Sequence, residues 1–213
     1  MSDTNADTHA GTNAGTDAGT DTRQLLDALY RDGLAHDAAQ EDRLLRRRNL
    51  EPEAATLLSV VLQSMGATSM AEIGTSNGYS AIWFASALAR RNGRLLSVDV
   101  DASVQAQART NLEAAGLAAT VELRTADGGA VLAELPDAGL DVLFLDSERP
   151  EYPHWWPHPV RVLRPGGLLA VDNVLSHPEE VAEFRALVER SAELESTVVP
   201  VGKGLLLATR LGT

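Results

Sequence analysis

The chain has 213 residues, 44% of them apolar, enough for one sizeable core but short for two. A net charge of -12 is a poor match to a polyanion, which argues against nucleic acid as substrate. There is no cysteine, which removes disulfides, thiolate catalysis and cysteine-based metal sites, and no apolar run reaches the roughly 18–20 residues of a membrane-spanning helix.

Residues 1–21 repeat Thr, Asp, Ala, Gly and Asn and include Asp3, Asp7, Asp17 and Asp21 without a single Lys or Arg. Such a stretch buries too little apolar surface to offset the cost of ordering, so a disordered low-complexity tail is expected. It lacks the basic and apolar regions of a secretory signal, and the expected compartment is the cytoplasm. Residues 22–213 read as one domain. Leu25, Leu26, Leu29, Tyr30 and Leu34 recur at helical spacing from Thr22, with Leu44-Leu45 continuing after a polar break. The basic run Arg46-Arg47-Arg48 reads as a solvated helix end. A second helix starts near Pro52, a favourable first-turn residue, carries Leu57, Leu58, Val61 and Leu62, and stops at Gly66.

From there the chain alternates. Short apolar segments at Met70–Ile73, Leu95–Val98, Val121–Leu123, Val142–Leu145 and Leu168–Val171 read as buried strands, with helices at about 80–91, 101–115 and 128–134 between the first four. This pattern predicts an α/β fold, a Rossmann-like doubly wound parallel sheet with helices on both faces. Ser196–Val201 and Leu205–Thr209, separated by Gly202-Lys203-Gly204, predict a closing antiparallel hairpin.

The segment AEIGTSNGYS, residues 71–80, is a strand, a glycine turn and a helix start. Gly74 and Gly78 allow close approach of a ligand to the backbone, and the helix start offers N–H groups. The spacing is G-x-x-x-G, without the middle glycine of a dinucleotide fingerprint. Glu72, just before it, would repel phosphate and suit a cationic ligand. Asp99 ends the second strand, where an acid can hold a ribose diol. An adenosine with a ribose, no pyrophosphate and a cationic portion fits both features, and S-adenosylmethionine is such a ligand.

Strand four ends at Asp146 and strand five at Asp172-Asn173. In an open parallel sheet these carboxyl ends line one crevice. Two carboxylates and an amide oxygen form an all-oxygen half-shell suited to Mg²⁺, Mn²⁺ or Ca²⁺. Helix capping by the Asp residues and a turn at Asn173 are the ordinary alternatives.

The segments EIGTSNGYSA, FLDSERPEYPHWW, LRPGGLLAVDNVL and VPVGKGLLLATR together resemble the metal-dependent O-methyltransferases, the group that contains catechol and caffeoyl-coenzyme A O-methyltransferases. The resemblance covers roughly residues 50–210. It implies a seven-stranded sheet with a reversed last strand, and a metal site at Asp146, Asp172 and Asn173. It also implies cofactor contacts from Glu72, Gly74, Ser80 and Asp99, with the loop residues Thr75, Ser76, Gly78 and Tyr79 among them, from Asp127 near the adenine, and from Asp146. It implies a homodimer as well. Two positions depart from the family pattern. Arg149 stands where the family usually has a lysine base, and Gly202-Lys203-Gly204 stands where Gly-Asp-Gly is frequent.

The implied reaction is methyl transfer from S-adenosylmethionine to a hydroxyl of a small, catechol-like aromatic acceptor. A phenol with a pKa of ~10 is a weak nucleophile until a Lewis acid lowers that value. Asp146 and Arg149 are the expected catalytic residues. Arginine stays protonated, so Arg149 would stabilise a phenolate rather than accept its proton. His154, His177, Glu148 and Lys203 are further groups that could receive it. Tyr152, Trp155 and Trp156 could wall a planar substrate, or serve helix–sheet packing. A metal-independent methyltransferase acting on another small metabolite, and a non-catalytic S-adenosylmethionine-binding protein, are the alternative readings.

Overall fold

The computed structural model describes residues 14–42 and 45–212. Seven strands form one sheet: β1 Ser69–Ile73, β2 Arg94–Asp99, β3 Val121–Thr125, β4 Leu140–Leu145, β5 Leu163–Val171, β6 Leu194–Val199 and β7 Leu205–Arg210. Their order is β3-β2-β1-β4-β5-β7-β6. The pairings from β3 to β5 are parallel, and β7 runs antiparallel to both β5 and β6. The expected doubly wound sheet with a reversed last strand is therefore present. The hairpin strands lie within about two residues of their expected bounds.

The helices are α1 Ala14–Ala38, α2 Pro52–Met65, α3 Tyr79–Ala89, α4 Ala102–Ala114, α5 Gly128–Glu134, α6 His158–Arg161 and α7 Pro178–Arg190. A 3₁₀ segment, Arg149–Trp155, follows β4. Along β4 the side chains alternate between two cores. Leu143 and Leu145 join Val131, Tyr152, Trp155, Phe184 and Val188 on one face, and Val142 and Phe144 join Leu58, Leu62, Ile82, Leu88 and Leu112 on the other. The central strands β1, β4 and the second half of β5 are buried on both faces, which is why they read as apolar runs without a period of two. None of the helices among the described residues is long and apolar enough to cross a membrane.

Three expectations are corrected. Helix α1 begins at Ala14, inside the stretch expected to be disordered. Once Leu26 is buried, extending a formed helix is far easier than nucleating one, so a poor helix-forming sequence can follow it. The tail expectation for residues 1–13 lies outside the described residues. Helix α1 ends at Ala38, and Leu45 lies in a short 3₁₀ turn, its N–H donating to the Asp42 carbonyl at 3.2 Å, instead of in a continued α-helix; Leu44 lies outside the described residues. Helix α7 was not among the expected elements. Its marks are Pro178 in the first turn, Glu179 and Glu180 beside it, and Val181, Phe184 and Val188 on one buried face.

Candidate active site

The strand order reverses between β1 and β4, so the chain leaves these neighbours in opposite directions and opens a crevice at their carboxyl ends. The opening is narrow at its floor. Gly74 follows β1 with φ +106, and a Cβ there would sit 2.1 Å from the carbonyl oxygen of Asp146. Only glycine satisfies both the backbone angle and the close approach. The crevice encloses about 520 Å³ and is lined by the loop from Gly74 to Asn77, Tyr79, Ser80, Asp99, Asp146, Arg149, Asn173, His177 and Lys203, among others. That volume suits a small molecule.

The glycine loop is held from below. Thr75, 1% exposed, shares a 2.8 Å hydroxyl contact with Ser97 and accepts from the Gln105 amide at 2.9 Å. The Asn111 amide donates to the Asn77 carbonyl at 2.8 Å. Asp99 accepts the Thr75 and Ser76 N–H groups on Oδ2, at 3.0 and 3.1 Å. Thr75 and Ser76 are expected cofactor contacts, and their backbone N–H groups are taken by the strand-end carboxylate. Gly78 is left-handed at φ +81 and leads into α3, where the Tyr79 N–H is taken by Asn77 Oδ1 at 3.2 Å. The Tyr79 ring meets Tyr30 of α1 at 5.7 Å.

Glu72 does not line the crevice. It is fully buried beneath the loop, where Ser80 Oγ donates to one carboxylate oxygen and Ser97 Oγ to the other at 2.7 Å. Burial raises its pKa to about 8 against the lowering effect of these two hydroxyls, with Asp146 and Asp99 raising it further. Its side chain follows β-strand alternation onto the α3 face, toward Ser80 rather than outward. Asp127 is likewise outside the lining, with an exposed side chain that caps α5 by accepting from the Ala130 N–H at 2.8 Å.

Asp146, Asp172 and Asn173 do come together. The Asn173 side-chain N–H₂ donates to Asp172 Oδ2 at 2.8 Å and to Asp146 Oδ1 at 3.2 Å. Asp172 is 2% exposed, and its other oxygen has no hydrogen-bond partner. Burial raises the pKa of both carboxyls, and the charge of Asp146 raises Asp172 further, while Arg48, Lys203 and Arg149 hold Asp146 down. Among the described residues no three His, Asp or Glu side chains gather as a metal cluster; here the trio is two acids and an amide.

Arg149 turns away from this trio toward α7, where Nε and Nη2 donate to Glu180 Oε2 at 3.0 and 2.7 Å. Tyr152 and Trp155 pack rather than wall the crevice. The Tyr152 ring lies 5.1 Å from Trp155 and 5.5 Å from Phe184, and its hydroxyl accepts the Ser147 N–H at 2.7 Å. Trp156 also meets Phe184, at 6.2 Å. His154 is absent from the lining, whereas His177, Glu148 and Lys203 belong to it.

The basic run is the main correction. Residues 46–48 form a strap that lines the crevice instead of a solvated helix end. Asp37 of α1 accepts the Arg47 and Arg48 N–H groups at 2.7 and 2.9 Å. The Arg47 carbonyl accepts from Ser76 Oγ at 2.9 Å, and Arg48 pairs with Glu148 at 2.9 Å. The partners lie 29 and 100 residues away in sequence, so no local pattern reveals them.

A family profile described as O-methyltransferase matches residues 24–211. A catechol O-methyltransferase of Niastella koreensis is 35% identical over 130 residues, a span of 60% of this chain and 58% of that protein. The solved structure of the O-methyltransferase TomG from Streptomyces achromogenes, in complex with S-adenosylmethionine, is 25% identical with a TM-score of 0.72, covering 95% of this chain and 100% of that one. The solved structure of a Klebsiella pneumoniae protein described as a candidate O-methyltransferase has a TM-score of 0.75 at 27% identity, covering 88% of this chain and 90% of that one. With a profile matched over nearly its whole length, the chain belongs to the O-methyltransferase family.

Proposed function

We propose that this chain transfers a methyl group from S-adenosylmethionine to a hydroxyl of a small, catechol-like aromatic acceptor, with a divalent cation such as Mg²⁺ held by Asp146, Asp172 and Asn173. The observation that carries this reading is the meeting of Asp146, Asp172 and Asn173, two of which, Asp146 and Asn173, line the same crevice as the loop after Gly74 and Asp99, with Asp172 buried behind them. The S-adenosylmethionine complex of TomG and the similarity to the Niastella koreensis catechol O-methyltransferase support the same reading.

The donor set fits a hard cation. Asp172 keeps one buried oxygen unpartnered, and Asn173 points its N–H₂ at both carboxylates and its Oδ1 at Ser176, so its oxygen would face the ion with the amide plane reversed. When bound, the cation supplies Lewis-acid charge that favours an ionised acceptor oxygen, and the sulfonium cofactor supplies the methyl group. The remaining work falls to the chain itself. Gly74 lets the loop and Asp146 lie close enough to serve one ligand pair. Asp99 fixes the loop and offers its carboxylate to a diol. Arg47 and Arg48 form part of the crevice wall beside the glycine loop, and holding two reactants in line within such a crevice is worth roughly 7–11 kcal/mol in favourable cases. Glu72 acts through Ser80 and Ser97, positioning the loop rather than touching the cofactor.

The test is a mass-spectrometric screen of diphenols with S-adenosylmethionine, with and without Mg²⁺, run on the natural sequence and on Asp172→Ala. The expected result is a methylated product that needs the cation and falls at least about a hundredfold in the variant, while cofactor affinity changes by less than about threefold. Full turnover by Asp172→Ala, or by the natural sequence in excess chelator, would remove the cation from the reading.

A further inference from the structure

The stretch between α1 and α2 places three consecutive arginines, Arg46 to Arg48, on the crevice wall. Its main chain is committed. Asp37 accepts the Arg47 and Arg48 N–H groups, the Arg47 carbonyl accepts from Ser76 Oγ, and the Asn49 amide donates to the Leu29 carbonyl at 3.2 Å. Arg48 is held at φ +51, a left-handed angle that is unfavourable for a residue with a Cβ.

The guanidinium groups are far less committed. Arg46 is exposed and reaches only an uncharged acceptor, the Gln40 carbonyl, at 3.1 and 2.9 Å. Arg47 meets Asp32, whose side chain is 66% exposed, and Arg48 meets Glu148 at 2.9 Å with side chains 33% and 39% exposed. Solvated pairs of this kind contribute little and exchange for a better-placed anion. The other cations of the wall differ: Lys203 Nζ lies 2.7 Å from Oε1 of Glu51, itself 17% exposed, and Arg149 is buried against Glu180. Arg48 also stands at the acceptor end of the strap, because Glu148 closely follows Asp146, whereas the Arg47 carbonyl stands on the glycine loop at Ser76.

Charge decides what such a strap can recognise. The chain carries a net -12, and Asp99 and Asp146 line the same crevice, so an approaching anion is repelled unless the field is reversed locally. Three adjacent guanidinium groups reverse it at the rim. Their paired N–H groups match the geometry of a carboxylate.

We infer that the acceptor carries a carboxylate on the side of its ring remote from the reacting hydroxyls, and that Arg48 and Arg46 bind it at the crevice wall. This rests on the diphenol acceptor proposed above and narrows it to acidic diphenols. The strap divides its work. Its main chain braces the glycine loop against α1, and its side chains select the acceptor, with Arg48 exchanging Glu148 for the incoming carboxylate.

The experiment compares kcat/KM for a vicinal dihydroxybenzoate and for its methyl ester, which share ring and hydroxyls but differ in charge. It uses the whole protein with S-adenosylmethionine and Mg²⁺, in the natural sequence, Arg48→Gln, Arg48→Lys and the double variant Arg46→Gln/Arg48→Gln. Comparing the acid-to-ester ratio across variants cancels the intrinsic reactivity of each ring. The natural sequence is expected to favour the acid at least about tenfold, chiefly through KM, and to lose that preference as salt rises. Arg48→Gln should cut the ratio at least about fivefold, the double variant should abolish the preference, and Arg48→Lys should restore part of it. Affinity for S-adenosylmethionine should stay within about threefold throughout, because the main-chain contacts of the strap are untouched. Equal or poorer use of the acid by the natural sequence overturns the proposal, as does a preference that the double variant retains. A tenfold or greater loss of cofactor affinity in Arg48→Gln at an unchanged ratio also overturns it, and gives the guanidinium to the cofactor's own carboxylate. Failure to methylate the acid, the ester or any neutral diphenol sinks the diphenol reading and this one with it, an outcome distinct from turnover that ignores charge.

Discussion

The guanidinium of Arg149 closes on one carboxylate oxygen of Glu180 through two nitrogens, at 3.0 and 2.7 Å, with its side chain 3% exposed. It thereby ties the segment after β4 to the first turn of α7. A lysine has one ammonium and cannot reproduce this fork. The departure from the family lysine at this position thus comes with a structural partner on another helix.

Arg149→Ala is expected to destabilise the fold by roughly 1–3 kcal/mol, because it removes a buried side chain's packing and the two hydrogen bonds of its guanidinium. Arg149→Lys should recover only part of that loss. Urea denaturation alongside steady-state kinetics checks both. Unaltered stability combined with abolished turnover would place the guanidinium at the reacting oxygen instead.

Glu72 makes stability depend on pH in a defined direction. Its carboxyl is raised from 4.5 to about 8 in the fold, so the folded state binds the proton more tightly than the unfolded chain does. That contribution is complete below the unfolded value and is lost as pH climbs through about 8. Between pH 5 and pH 9 the natural sequence should therefore lose stability relative to Glu72→Gln, by a few kcal/mol and at most about 5. Denaturation midpoints at the two pH values measure it, and parallel profiles for the two proteins would contradict it.

Asp37 holds the arginine strap through two backbone N–H groups, with Arg48 in the left-handed region at φ +51. Asp37→Ala should free the strap and weaken S-adenosylmethionine binding roughly tenfold, while the melting temperature falls only slightly. Calorimetric titration decides the matter. Unchanged affinity would mean that the strap contributes nothing to closing the crevice.

The sheet was legible because strands covered on both faces, such as Val142–Leu145, leave apolar runs bounded by turn residues. The meeting of Asp146 with Asp172 and Asn173 was legible because strand ends in a parallel sheet share an edge. What the sequence concealed depends on distant partners. Arg48 looks like any solvated charge until Glu148 and Asp37 are placed beside it. Glu72 and Asp127 have the composition of ligand-binding acids, but strand alternation turns one inward and helix capping occupies the other. Tyr152 and Trp155 could not be assigned from residue type alone, and Phe184 on the unanticipated α7 explains why they pack.

The Glu51–Lys203 pair joins the stretch ahead of α2 to the final hairpin, so the first and last quarters of the polypeptide meet directly over one flank of the opening. A protein trimmed at its amino end through Glu51 keeps all seven strands yet leaves Lys203 without this partner, whereas trimming the carboxyl end back to Lys203 also removes β7, which joins β6 to β5. Fusions and truncations should therefore be designed to spare both ends of this clasp.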